Sequence, residues 1–253
     1  MQPRPEQLGI RIAVIGCAGS GKSTLAAKLG SSTGLPVIHL DQLFWKPGWV
    51  PTPPEDWARV NREIVELIQR GGGQAIGLTG NDGRMLLVRR REGLGRVGEV
   101  VAVDPAPIKA ASEAGFIPVI APIGVDAHGT THNVNADEAA GAIARALQAE
   151  KFILLTDVEG VRDASGRLLG QLSELDAKKL IAEATIQGGM IPKVECCLDA
   201  LRGGVACAHI VDGRILHAIL LEIFTDRGVG TLLTMRPSRA APRGKATSRA
   251  AGS

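Results

Sequence analysis

Between Thr131 and Lys193 the chain gathers the residue types that phosphoryl transfer needs. Asn133-Val134-Asn135-Ala136-Asp137 supplies amides and a carboxylate, Ile153-Leu154-Leu155-Thr156-Asp157 ends an apolar run on a second carboxylate, and Gly188-Gly189-Met190-Ile191-Pro192-Lys193 sets a glycine turn before a cation. Carboxylates order cations, glycine turns admit phosphates, and a lysine meets the negative charge that develops on a transferring group. These segments fall at strand ends and loop starts, where ligands bind in open α/β sheets.

A second phosphate signal lies near the N-terminus. Gly16-Cys17-Ala18-Gly19-Ser20-Gly21-Lys22-Ser23 follows the short buried strand 9–15 and precedes a helix over 23–29, the context in which a P-loop works. There the backbone N–H groups, from Gly16 to Gly21 and on to Thr24, turn toward phosphate oxygens, Lys22 neutralises them and Ser23 ligates Mg²⁺. The competing reading is a glycine turn that caps a helix and holds nothing.

The elements that position these groups read as alternating strands and helices. A strand over 36–40 ends in Asp41, and 42–54 is a loop carrying Trp45 and Trp49. The helix 54–69 sets Trp57, Val60, Ile64, Leu67 and Ile68 on one face. Asn81-Asp82-Gly83 reads as the turn of a hairpin between strands 75–80 and 85–90. Strands follow at 98–103 and 116–123, with a helix over 106–114 between them. Next come a helix over 138–147, a strand over 151–155 and a strand over 205–211.

Several of these residues have a plainer role. Gly71-Gly72-Gly73 reads as a helix C-cap rather than a phosphate loop. Asn135 or Asp137 is a good N-cap for the helix that follows, which is compatible with a place near an anion. Asp157 also suits a turn. His39 reads as a hydrogen-bonded strand end, and His128 and His132 as solvent-facing. Lys193 at a helix start opposes the helix dipole, a conflict that a bound phosphate relieves. Cys17, Cys196, Cys197 and Cys207 lack metal-ligand spacing and read as reduced, small apolar residues.

Composition narrows the class. At 45% apolar and 22% charged residues the chain reads as globular, with no run of about 18 apolar residues to span a membrane. Residues 1–7 lack the apolar core of a signal peptide, so a cytoplasmic location is expected. The net charge of +3 belongs to the stretch 235–253, which carries Arg236, Arg239, Arg243, Lys245 and Arg249 with no acid and leaves −2 on the rest. That stretch reads as a disordered, solvated tail rather than a nucleic-acid arm.

The motifs N-V-N-A-D, L-L-T-D-V-E-G-V, G-G-M-I-P-K-V, H-I-V-D-G-R and F-T-D-R-G-V-G-T, in that order between about 60 and 233, resemble the acetylglutamate kinases of the amino-acid kinase family. The resemblance implies ATP and Mg²⁺ as cofactors, N-acetyl-L-glutamate as acceptor, an acyl phosphate product on the way to arginine, and a homo-oligomer. It implies that Asn133 contacts the acylated amino acid, that Asp137 orients the catalytic Lys193, and that Asp157, Gly160, Gly188 and Gly189 border the nucleotide. His209 and Glu222 fall where the arginine-inhibited branch shapes an effector pocket. The family's opening lysine strand, Gly-Gly-Gly loop and substrate-gripping arginine have no matching position. Residues 9–58 instead resemble small adenylate-kinase-like P-loop kinases, especially DNA topology modulation proteins, with Lys22 standing in for the opening lysine. The expected fold is a three-layer α/β sandwich with a mainly parallel sheet. It divides as a partial P-loop unit (strand, loop, helix, strand) over 1–58, an amino-acid kinase-like region over 59–234 with halves 59–148 and 149–234, and the tail 235–253. The alternatives are a P-loop nucleotide or nucleoside kinase and a non-catalytic nucleotide-binding fusion.

Overall fold

The computed structural model describes residues 45–46, 50–51, 57–215, 218–224 and 228–235. Twelve strands lie among them: β1 (Trp45–Lys46), β2 (Val50–Pro51), β3 (Ala75–Thr79), β4 (Leu86–Arg90), β5 (Val97–Val103), β6 (Ile117–Ala121), β7 (Ile123–Val125), β8 (Thr131–Val134), β9 (Lys151–Thr156), β10 (Gln171–Ser173), β11 (Cys207–Asp212) and β12 (Thr231–Thr234). The helices are α1 (Trp57–Arg70), α2 (Ala106–Glu113), α3 (Ala136–Leu147), α4 (Glu174–Ala182), α5 (Met190–Arg202) and α6 (Ala218–Phe224).

The C-terminal sheet runs β10-β12-β11-β9, with β9/β11 and β10/β12 parallel and β11/β12 antiparallel. Strands β9 and β11 are apolar on both faces, as strands covered by helices on two sides must be. Phe152, Leu154, Ala208 and Ile210 pack with Ala144 of α3 and with Val194, Cys197, Leu198 and Leu201 of α5. The intervening Ile153, Leu155 and Val211 pack with Ala218, Ile219 and Ile223 of α6. Helix, sheet and helix form the three expected layers.

In the N-terminal half, β3 pairs in parallel with β6, while β4, β5, β8 and β7 close into a small ring. The expected hairpin between β3 and β4 does not form. Asp82 accepts the Thr79 N–H at 2.6 Å and its hydroxyl at 3.0 Å, winding Asp82–Arg84 into one 3₁₀ turn with Gly83 at φ 61°. Gly80 donates instead to Ile123 O at 2.8 Å, so the chain passes into the ring. The expected strand 116–123 is likewise two, β6 and β7, on either side of Pro122, which has no N–H for a ladder.

Local signals account for the helix ends. Gly71, Gly72 and Gly73 turn their N–H groups back to Leu67, Gln69 and Ile68 carbonyls and end α1 as a cap, with Gly72 at φ 81°. Asn135 caps α3, its Oδ1 accepting from Asp137 N at 2.9 Å and Glu138 N at 3.1 Å. Ser173 and Asp176 form a reciprocal capping box on α4.

Candidate active site

Two helix N-termini converge in this fold. Asp137 is the second residue of α3 and Lys193 the fourth of α5; Lys193 Nζ donates to Asp137 Oδ2 at 2.8 Å across 56 residues of sequence. The side chains are 10% and 17% exposed, so the pair sits in little water. Each charge answers a local problem: Asp137 suits the positive end of its own helix, while Lys193 opposes that of α5 and is offset by the carboxylate. Two positive helix ends beside one ammonium make a seat for anionic oxygens.

A thiol completes the clasp. Cys196 Sγ donates to Asp137 O at 3.1 Å, and a Cβ on Gly141 would stand 2.7 Å from that sulfur. Burial first, and the Asp137 charge next, push the Cys196 thiol up to about 12, so it remains a donor. Burial likewise raises Cys197. No sequence signal pointed to Cys196 as a contact of Asp137, because its partner lies on another helix.

Asn133 lies on β8, paired with Ile123 on one side and Val97 on the other, and its Oδ1 is buried without a hydrogen-bond partner. An orphaned buried acceptor costs about 1–3 kcal/mol, so this atom fits a donor brought by a ligand. Gly188 and Gly189 precede α5, and a Cβ at either meets nothing within 4 Å. Nothing in the chain's own packing calls for glycine at 189, where φ is −66°. The open space suits phosphates.

Gly160 differs. It lies at φ 142°, and a Cβ there would come within 2.5 Å of Thr231 Oγ1. Its glycine is required by packing. Asp157 closes β9 next to the end of β11, where Gly213 N donates to Thr156 O at 2.9 Å. Arg214 forks onto Asp212, Nε to Oδ1 and Nη2 to Oδ2, both at 2.9 Å. Burial opposes the Asp212 charge, but the Arg214 guanidinium holds the carboxyl below its ordinary range. Arg214 is raised by Asp212 and, more weakly, by Asp157 and Glu159. This second polar cluster was not anticipated; its signal was the D-G-R spacing after an apolar strand.

His132 corrects an expectation. Only 2% exposed, it donates from Nε2 to Asp126 Oδ2 at 2.9 Å, while His128 is exposed. The His132 hydrogen bond, followed by the Thr130 N–H, draws the Asp126 carboxyl down to about 2.

His209 and Glu222 lie on the other face of the C-terminal sheet, between β11 and α6. His209 Nδ1 meets Glu222 Oε1 at 2.8 Å with both side chains buried, and Glu222 Oε2 accepts from Val229 N and Gly230 N. Gly16, Gly21, Lys22, Ser23 and Thr24 lie outside the described residues.

The model of the amino acid kinase family matches residues 10–212. This chain belongs to the amino acid kinase family. The match begins inside the stretch read from sequence as a P-loop unit. Acetylglutamate kinase from Halorhodospira halophila is 51% identical over 192 residues, covering 70% of this chain and 64% of the relative. That from Acinetobacter baylyi is 53% identical over 190 residues, covering 70% and 63%. The chain thus spans 63–64% of the length of these curated relatives. Among solved structures, N-acetylglutamate synthase from Neisseria gonorrhoeae shares the fold at a TM-score of 0.67 and 24% identity, over 87% of this chain and 57% of that one. No described helix is long and apolar enough to cross a membrane.

Proposed function

We propose that this amino acid kinase transfers the γ-phosphoryl group of ATP to the side-chain carboxylate of N-acetyl-L-glutamate, forming an acyl phosphate. The observation that carries the reading is the Lys193–Asp137 pair at the meeting of two helix N-termini, 2.8 Å apart. The identity of about half to acetylglutamate kinases supports the choice of acceptor.

In this scheme the chain supplies position and charge, with no covalent intermediate on the enzyme. Lys193 faces the oxygens of the transferring group, where negative charge grows toward the transition state. Asp137 holds the ammonium in one place and so removes its freedom before the reaction begins. Asn133 Oδ1 takes a hydrogen bond from the acyl-amide N–H of the acceptor. Gly188 and Gly189 leave room for the β- and γ-phosphates, and Asp157 lines the nucleotide side. Mg²⁺ would supply positive charge against the phosphate oxygens, with the Ser23 hydroxyl as the group the sequence offers to hold it. Among the described residues no group of three His, Cys, Asp or Glu side chains is arranged to hold a metal. Lys22 and Ser23 would then meet the same phosphates from the N-terminal segment, and His209 with Glu222 would serve an effector at the far face of the sheet.

ADP release from Mg·ATP, with and without N-acetyl-L-glutamate, tests the scheme in wild type, Lys193→Ala and Lys22→Ala. Acceptor-dependent release that is lost in Lys193→Ala supports it, and loss in Lys22→Ala adds the N-terminal loop to the same site. Release that ignores the acceptor in wild type overturns it.

A further inference from the structure

We propose that Asp126 and His132 are a positioning pair that aims Asn133 at the acceptor substrate; the inference rests on the kinase reading above. The segment between β7 and β8 is built around one carboxylate. Asp126 Oδ1 accepts the N–H groups of His128 and Thr130, each at 2.9 Å, and Oδ2 accepts His132 Nε2 at 2.9 Å. The same side chain therefore folds the turn and pins the strand that leaves it.

His132 lies beside a tightly closed part of the strand ring. Gly124 of β7 lies opposite His132, and a Cβ there would stand 2.2 Å from Val88 Cγ1. Gly98 of β5 lies on the other flank, where a Cβ would meet Val88 at 2.9 Å and His132 Cβ at 3.0 Å. Two glycines thus let β5 and β7 close against Val88 of β4 beside His132. His132 Nδ1 is buried without a hydrogen-bond partner, so Asp126 is the ring's polar anchor.

Strand geometry turns that anchor into an aim. Successive side chains point to opposite faces, so His132 fixed inward sets Asn133 outward. β8 is only four residues long, and a slip of one residue would swap the two faces. Asn133 follows directly, the capping Asn135 two residues after it and Asp137 two residues after that, so the pair sets the register from which the acceptor side of the site is laid out.

A role limited to folding the turn predicts a loss of stability alone, whereas aiming Asn133 predicts a change in acceptor binding. The full chain is compared with His132→Phe, His132→Gln and Asp126→Asn in KM for N-acetyl-L-glutamate, KM for ATP, kcat and melting temperature. Displacing Asn133 raises the acceptor KM on the order of 10-fold in His132→Phe and Asp126→Asn while the ATP KM stays within about two-fold. His132→Gln, which keeps a donor for Asp126, recovers most of the loss. Should His132→Phe fail to fold, Asp126→Asn carries the same expectation. An unchanged acceptor KM in a folded Asp126→Asn, or a parallel rise in both KM values, overturns the positioning pair and leaves the kinase reading intact. A wild type without acceptor-dependent ADP release removes both.

Discussion

His209 Nδ1 stands 2.8 Å from Glu222 Oε1 with both side chains buried between β11 and α6. Burial disfavours the charged imidazole, but hydrogen bonds to the Cys207 thiol and the Glu222 carboxylate outweigh it and raise His209 to about 9 from an ordinary 6.5. Glu222 is lowered from its ordinary 4.5; burial opposes this and the His209 contact overrides it. A raised histidine stabilises the fold fully below pH 6.5 and loses that contribution as pH climbs through 9; a lowered glutamate contributes above pH 4.5 and loses it in acid. Urea midpoints measured against pH are therefore expected to fall from 6.5 to 9 in wild type and to stay flatter in His209→Gln. Equal slopes in the two proteins exclude the ion pair as the cause.

Lys193 and Asp137 each leave a charge behind when the other is removed. Asp137→Asn and Lys193→Met are each expected to lower stability by roughly 3 kcal/mol, and the double variant by less than the sum, because neither charge is then stranded. Acceptor-dependent ADP release falls on the order of 100-fold or more in each single variant, since charge on the transferring group loses its fixed partner. Additive stability losses in chemical denaturation count against the pair as a unit.

Gly160 and Gly189 separate packing from ligand space. Gly160→Ala forces a Cβ to within 2.5 Å of Thr231 Oγ1 at φ 142° and is expected to lower the melting temperature. Gly189→Ala meets nothing within 4 Å and leaves the melting temperature in place. Its KM for ATP rises if phosphates occupy the open space before α5. Reversed outcomes, with Gly160→Ala neutral in stability and Gly189→Ala destabilised, contradict the assignment.

Gly141 and Cys196 set the spacing of α3 and α5. A methyl at Gly141 would lie 2.7 Å from Cys196 Sγ, so Gly141→Ala costs about 1–3 kcal/mol through overpacking. Adding Cys196→Ala removes the sulfur and restores most of the loss, with a small gain from the better helix former. A double variant as unstable as Gly141→Ala alone shows that the contact is not the constraint.

What the sequence revealed follows physical lines. The α3 start was legible because Asn135 solves a local problem, two unpaired N–H groups one turn away. The pairing of Asp137 with Lys193 across 56 residues was legible only through the chemistry of their motifs, as no local rule joins them. His132 was misread because its burial follows from the closing of β7 and β8 with β4 and β5 into a ring, which no local pattern announces. The N-D-G turn pointed to a hairpin, but Asp82 spent its carboxylate on Thr79 and the two strands went to different sheets. The P-loop residues Gly16 to Thr24 lie outside the described residues, so Lys22 stands on sequence alone.

β12, at 231–234, sits between β10 and β11 and is the partner that joins β10 to the rest of its sheet. During synthesis, β10 emerges some sixty residues before that partner exists. Until Thr231 reaches Leu169 O and the Val161 N–H, the wall behind α5 has a missing slat. The layer that steadies Lys193 is thus completed late on the ribosome, and a nascent chain stalled before residue 231 exposes an open sheet edge to its neighbours.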